Sequence, residues 1–224
     1  MSKQIVPNLS FVTCCWGDYW DKYGERWIKT VQALDPQPAE IIVSVDRPVE
    51  LPNGWKQMRP REPYFFEAWM DVFQAAENEY VAFLSMDDLM PPDGLADLTL
   101  EGDVVVCGLV HSDGNVSIPT KEKYDNIFNE NWYPLVGYLI IHRDLLTKVR
   151  WRPVVWQDWV AALEFKYLNL DVRFDNRVRY IYSMHPDQHS RKNPGEGWEA
   201  IRLMKELLPT GRVIHDASWP PKLK

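Results

Sequence analysis

Tyr80 to Pro92, reading Y-V-A-F-L-S-M-D-D-L-M-P-P, limits the possible folds more than any other stretch of the chain. Tyr80 to Leu84 is an apolar run with aromatic and β-branched members, the length of a buried strand and too short for a helix. Pro91 and Pro92 forbid further sheet pairing, so Asp87 and Asp88 are expected just past the carboxyl end of a central strand. In open α/β sheets ligands bind at that end. Two adjacent carboxylates repel by about 4 kcal/mol at close range and an effective dielectric of about 20, unless a cation sits between or beside them. A bound divalent metal is one explanation. A hydrated acidic turn, with Asp93 capping a short helix from Gly94, is the other.

A length of 224 residues fits one large domain better than two. The net charge of -7 disfavours a partner held mainly through phosphate contacts, such as bulk nucleic acid, and means that a phosphorylated ligand needs a metal or a local basic loop. Cys14, Cys15 and Cys107 match no zinc spacing and point to reduced thiols. The N-terminus has no apolar leader and no window approaches a membrane span, so a soluble, cytoplasmic protein is expected. With 11 Trp and 10 Tyr the chain holds more aromatics than a core of this size needs, which suggests an aromatic-lined groove.

Taken in order, Leu9 to Cys14 reads as a strand, followed by a loop around Trp16, Gly17 and Asp18 and a helix carrying Trp20, Trp27, Val31 and Leu34. Ala39 to Val45 is the next strand. The proline-rich stretch from Val49 to Pro63 is loop, with a short strand near Gln57 to Arg59, and Phe65 to Ala76 is an amphipathic helix leading into the Tyr80 strand. This βαβ alternation predicts a parallel sheet. Beyond the acidic turn, Asp103 to Val110 is a continuous apolar strand, and Asp113 and Gly114 turn the chain into Asn115 to Ile118. Lys121 to Trp132 reads as a loop or lid, Leu135 to His142 as a strand, Asp144 to Val149 as a short capped helix and Gln157 to Tyr167 as a helix. Val172 to Phe174 and Val178 to Ser183 read as two short strands, and Gly197 to Leu208 as the last helix.

Three segments then carry a resemblance. A-A-E-N-E-Y-V-A-F-L-S-M-D-D-L-M-P-P resembles the strand and D-x-D segment of the GT-A fold glycosyltransferases, particularly the inverting glycosyltransferase family 2. Q-D-W-V-A-A-L-E-F from Gln157 to Phe165 is similar to that family's acidic pair opening a helix, and Y-S-M-H-P-D-Q-H-S from Tyr182 to Ser190 to its strand-then-histidine segment. The likeness implies an α/β, GT-A-like (Rossmann-like) fold: a mixed, mostly parallel sheet flanked by helices in one domain over 1–224. Its nucleotide-sugar half is about 1–100, its acceptor half about 101–208, and 209–224 form a tail. Two departures stand out. Ser85 replaces the first acid of D-x-D, and Trp69 and Met70 occupy helix positions where the family often has Arg and Asn.

By the same resemblance the chain moves a sugar from a nucleotide-diphosphate sugar to an acceptor hydroxyl, with inversion, using Mn2+ or Mg2+. Asp88 is then assigned to the metal, Asp87 to the metal shell or the donor ribose and sugar, and His185 to completing the coordination; the plainer reading of His185 is a hydrogen-bonded loop residue. Asp158 is the candidate general base, although in a first helical turn the macrodipole stabilises its charge and weakens it, unless Trp156 and Trp159 desolvate it. Asp46 is a nucleobase candidate, against a reading as a turn residue, Thr13 at the end of the first strand a second, and Arg191 a diphosphate candidate, against a solvated charge. Trp132, Trp156 and Trp159 are candidates for stacking on sugars, against core packing. A nucleotidyltransferase and a non-catalytic carbohydrate-binding module are the rival functions. The acceptor is open: a glycan end, a lipid-linked sugar, a protein side chain or a hydroxylated nucleobase in DNA, the last kept open by the basic stretch His142 to Arg152.

Overall fold

The computed structural model describes residues 3–60, 65–128, 137–151, 157–186, 188 and 194–210. Its first half is the expected alternation. β1 (Ile5–Cys15), α1 (Tyr19–Ala33), β2 (Gln37–Val45), β3 (Lys56–Met58), α2 (Phe65–Ala75) and β4 (Tyr80–Phe83) follow one another, with β2 and β4 parallel to β1 and β3 parallel to β2. The second half adds β5 (Val104–His111), β6 (Val116–Ser117), α3 (Lys121–Asp125), β7 (Tyr138–His142), α4 (Leu145–Lys148), α5 (Gln157–Tyr167), β8 (Val172–Tyr182) and α6 (Pro194–Leu207). Among the described residues these strands form a single mixed sheet of order β3-β2-β1-β4-β7-β5-β6, with β8 paired to β5. β7 runs antiparallel to both β4 and β5, so it joins the two halves in one sheet.

Each face of the sheet is covered because each helix is apolar on one side. Trp27, Val31 and Leu34, spaced by four and three residues, bury against Phe11, Val43 and Leu84 on one face. Ala68, Trp69, Val72 and Phe73 of α2, with Val160 to Phe165 of α5 and Ile201 and Met204 of α6, cover Val12, Ile42 and Val106 on the other. The Trp27 indole N–H also donates to the Leu84 carbonyl at 3.1 Å, tying α1 to the end of β4. Trp69 lies in this core, its ring 3.9 Å from that of Phe73 and 4.8 Å from that of Trp151. No helix among the described residues is long and apolar enough to cross a membrane.

Three elements differ from the sequence expectation. Residues 121–125, read as loop, form a short helix capped by Thr120, whose hydroxyl accepts from the Lys123 N–H at 3.3 Å, and Tyr124 and Ile127 anchor it in the core. Five residues are too few to display a helical period. The two strands expected between Val172 and Ser183 are one, β8, whose register slips where Cys107 opposes Asp175 and Gly108 opposes Val178. Gly108 permits that bulge: a Cβ there would lie 2.9 Å from the Arg177 carbonyl oxygen and 2.7 Å from Ile118 Cδ1. The segment after the acidic turn, from Pro92 to Asp97, is a series of turns and not a helix capped by Asp93.

Those turns are held by arginines of β8. Arg179, 2% exposed, pairs with Asp175 at 2.6 Å and donates to the carbonyls of Gly94 at 2.9 Å and Ala96 at 2.8 Å. Arg177 donates to the same Ala96 carbonyl at 2.9 Å. Removing the Arg179 guanidinium leaves the half-buried Asp175 carboxylate without its charge partner and the Gly94 carbonyl without that donor, while the Ala96 carbonyl keeps Arg177. Arg179→Met is therefore expected to lower unfolding free energy by about 3 kcal/mol or more, read from urea midpoints, whereas Arg177→Met, at a more exposed site, costs at most about 1 kcal/mol.

Candidate active site

The acidic turn after β4 is docked on β8. Leu89 and Ile181 exchange backbone hydrogen bonds of 3.1 and 2.9 Å, which brings Asp88 against the carboxyl end of β8. Asp88 is buried, and one carboxylate oxygen accepts from the Ser183 N–H at 2.7 Å while the other accepts from the Tyr180 hydroxyl. Burial, and then the charge of Asp87, push the Asp88 carboxyl well above the usual carboxylate range, against the opposing pull of those two donors and of Arg26. Tyr180 is itself buried and stacked on Tyr138 with ring centroids 4.6 Å apart, and burial beside Asp88 raises its phenol well above the ordinary value.

Asp87 points elsewhere. Its Oδ1 accepts from the Ser85 hydroxyl at 2.6 Å, and its Oδ2 accepts from the Tyr19 hydroxyl at 3.2 Å and meets His185 Nε2 at 2.7 Å. The Asp87 backbone carbonyl accepts from Arg26. His185 is flanked by the rings of Tyr23, 5.5 Å away, and Tyr19, 6.3 Å away, and its Nδ1 is buried without a hydrogen-bond partner. The adjacent aspartates thus face opposite ways, as residues in an extended segment do. Asp88 has both oxygens engaged by β8, and Asp87 is the one in contact with His185.

The other nucleotide candidates lie at the same end of the sheet. Asp46, at the end of β2, accepts from the Gly17 N–H at 2.9 Å, closing the loop after β1 against β2. Thr13 is fully buried within β1, and its hydroxyl has no partner. Asp158 opens α5, and here burial outweighs the helix dipole: desolvation pushes its carboxyl up to about 6, although two backbone N–H groups hold it down. Trp159 packs as a half-buried ring against the core. Trp132, Trp156 and Arg191 lie outside the described residues. Of the basic stretch, Arg143 donates to the carbonyls of Ala76 and Glu77 at 3.0 and 2.9 Å, and Lys148 pairs with Asp144 at 3.6 Å, so part of its charge is engaged within the fold.

α1 supplies residues that sequence reasoning passed over. Tyr19, Tyr23 and Arg26 follow one another at spacings of four and three, giving the helix a second stripe that meets Asp87 and His185. The signal was there as spacing, but the apolar stripe through Trp27 and Val31 dominates the period. Among the described residues no three His, Cys, Asp or Glu side chains cluster as a metal site. Asp87 Oδ2 and His185 Nε2 are a donor set of two, a hard carboxylate and an imidazole, of the kind that would suit a divalent cation.

No protein-family model and no curated protein sequence matches the chain. Solved structures do. The chain is similar to Staphylococcus aureus TarS 1–349 in complex with UDP-GlcNAc, at 18% identity and a TM-score of 0.63, covering 88% of this chain and 65% of that one. It is similar to a mycobacterial protein at 17% identity and a TM-score of 0.61, covering 88% of this chain and 74% of that one. It is also similar to a mannosyltransferase from Pyrobaculum calidifontis in complex with GDP-Man and Mn2+, at 14% identity and a TM-score of 0.54, covering 96% and 66%. The chain spans slightly less than two thirds of the TarS 1–349 structures it matches. With its mixed sheet, its helical layers and the acidic turn at the end of β4, the chain has the GT-A glycosyltransferase fold.

Proposed function

We propose that the protein transfers a sugar from a nucleotide-diphosphate sugar to an acceptor hydroxyl. The observation that carries this reading is the contact of Asp87 with His185 at the carboxyl end of β4, beside the loop that Asp46 closes, in a fold whose neighbours are described with UDP-GlcNAc and with GDP-Man and Mn2+. Asp87 and His185 would hold a divalent cation, which would supply the positive charge that a departing diphosphate needs; an imidazole ligand suits Mn2+ better than Mg2+. Asp88, the expected metal ligand by resemblance, has its oxygens on Tyr180 and Ser183, so the ion is assigned to Asp87 and Asp88 to holding the turn in place from within. Asp46 recognises the nucleobase where the loop after β1 meets β2.

Asp158 accepts the proton of the acceptor hydroxyl as its oxygen attacks the anomeric carbon, with inversion. A carboxyl raised to about 6 is a better base than an ordinary aspartate and is still ionised at neutral pH. The remaining assignments are Arg191 to the diphosphate and Trp132, Trp156 and Trp159 to stacking on the sugars. The acceptor belongs to one of four classes: a glycan, a lipid-linked sugar, a protein or a hydroxylated nucleobase. Internal engagement of Arg143 and Lys148 weighs against the nucleic-acid option.

Because the base must be ionised, kcat/KM is expected to rise with pH through a midpoint near 6, and Asp158→Asn to lower kcat by about 10²- to 10⁴-fold while leaving donor binding intact. A pH-rate profile with no acidic limb between 5 and 7 removes Asp158 from that role. Thermal shift with UDP, GDP, CDP and dTDP sugars, with and without Mn2+, tests the donor. A ligand at 100 times its Kd stabilises by about 2.7 kcal/mol, and Asp87→Ala or His185→Ala is expected to abolish the Mn2+-dependent part of that shift. Sugar binding that ignores chelator and both substitutions supports a carbohydrate-binding module instead.

A further inference from the structure

Ser85 breaks the D-x-D pattern, yet its side chain is within the site. Its hydroxyl donates to Asp87 Oδ1 at 2.6 Å, and from the opposite side the Tyr19 hydroxyl of α1 donates to Oδ2 at 3.2 Å, the same oxygen that meets His185. A hydroxyl can both give and take a proton in a hydrogen bond, but an ionised carboxylate only accepts, so the direction of both bonds is fixed. Asp87 is therefore gripped by two neutral donors from two different elements. Resting on the metal-dependent reading above, we infer that Ser85 and Tyr19 are positioning residues that orient the Asp87 carboxylate toward its cation in place of a second acid. The site then carries one negative charge fewer than a D-x-D site and depends on orientation where such a site relies on charge.

The physical reason lies in Asp88. Asp87 and Asp88 are adjacent carboxylates, and a third acid at position 85, whose side chain reaches Asp87 Oδ1, would bring a further negative charge against them. A serine avoids that and still occupies an oxygen of Asp87. Tyr23, one turn further along α1, lies 5.0 Å from Tyr19 by ring centroid and packs against His185, so one helix presents Tyr19 to Asp87 and Tyr23 to His185.

The test is Mn2+ affinity of the full chain, measured without substrate by the loss of the free-ion electron paramagnetic resonance signal. Ser85→Ala and Tyr19→Phe are each expected to weaken Mn2+ binding by about 10-fold or more, as other outer-sphere substitutions do, with urea midpoints in chelator unchanged. Ser85→Thr, which keeps the hydroxyl, is expected to bind within about twofold of the parent. If the parent binds Mn2+, Asp87→Ala loses it, and Ser85→Ala and Tyr19→Phe bind as the parent does, the positioning role is overturned while the metal reading stands. If the parent takes up no Mn2+, both are overturned.

Discussion

The arrangement of the candidate site depends on a buried carboxylate. Asp88 is enclosed between the acidic turn and β8, with one oxygen on the Ser183 N–H and the other on the Tyr180 hydroxyl. An ionised group in such a place is costly unless each oxygen is engaged, and these two donors are what make the position tenable. Because Asp88 is held on Tyr180 and Ser183, Asp87, also buried, faces the other way and meets His185, which follows β8 in the chain. The pair of arginines on β8, clamping the turns at residues 93–97, extends the same docking beyond the site. One strand thus orders the acidic turn, its buttress and the histidine.

Much of the scaffold could be read from residue pattern. The strands at Tyr80, Ala39 and Val104 are apolar runs of strand length, and α1 and α2 bury the faces their spacing predicts, while α5 is buried all along residues 160–165. What could not be read is what the pattern does not encode. Thr120 caps a helix too short to have a period, and Gly108 admits a bulge through a close approach of backbone from β8, a contact between residues about 70 apart in sequence. The antiparallel insertion of β7 between β4 and β5 follows from long-range pairing, which no local signal specifies.

The site was legible to a similar degree. Two adjacent aspartates ending a strand marked the place, and alternation predicted that they would face opposite ways, but not which of them would face Tyr180 and Ser183. That choice depends on Tyr180 and Ser183, more than 90 residues away. Tyr19, Tyr23 and Arg26 were hidden because their stripe shares a helix with a stronger apolar one. For Asp158 two opposing effects were visible in sequence, the dipole that stabilises its charge and the aromatics that desolvate it; only packing decides between them, and desolvation prevails.

The most direct measurement is a crystal grown with Mn2+ and a nucleoside diphosphate, with manganese located by its anomalous scattering. An ion bound by the carboxylate of Asp87 and the imidazole of His185, with Asp88 still on Tyr180 and Ser183, is the predicted result. An ion ligated by Asp88 after it has left Tyr180, or no ion near this turn at all, contradicts it.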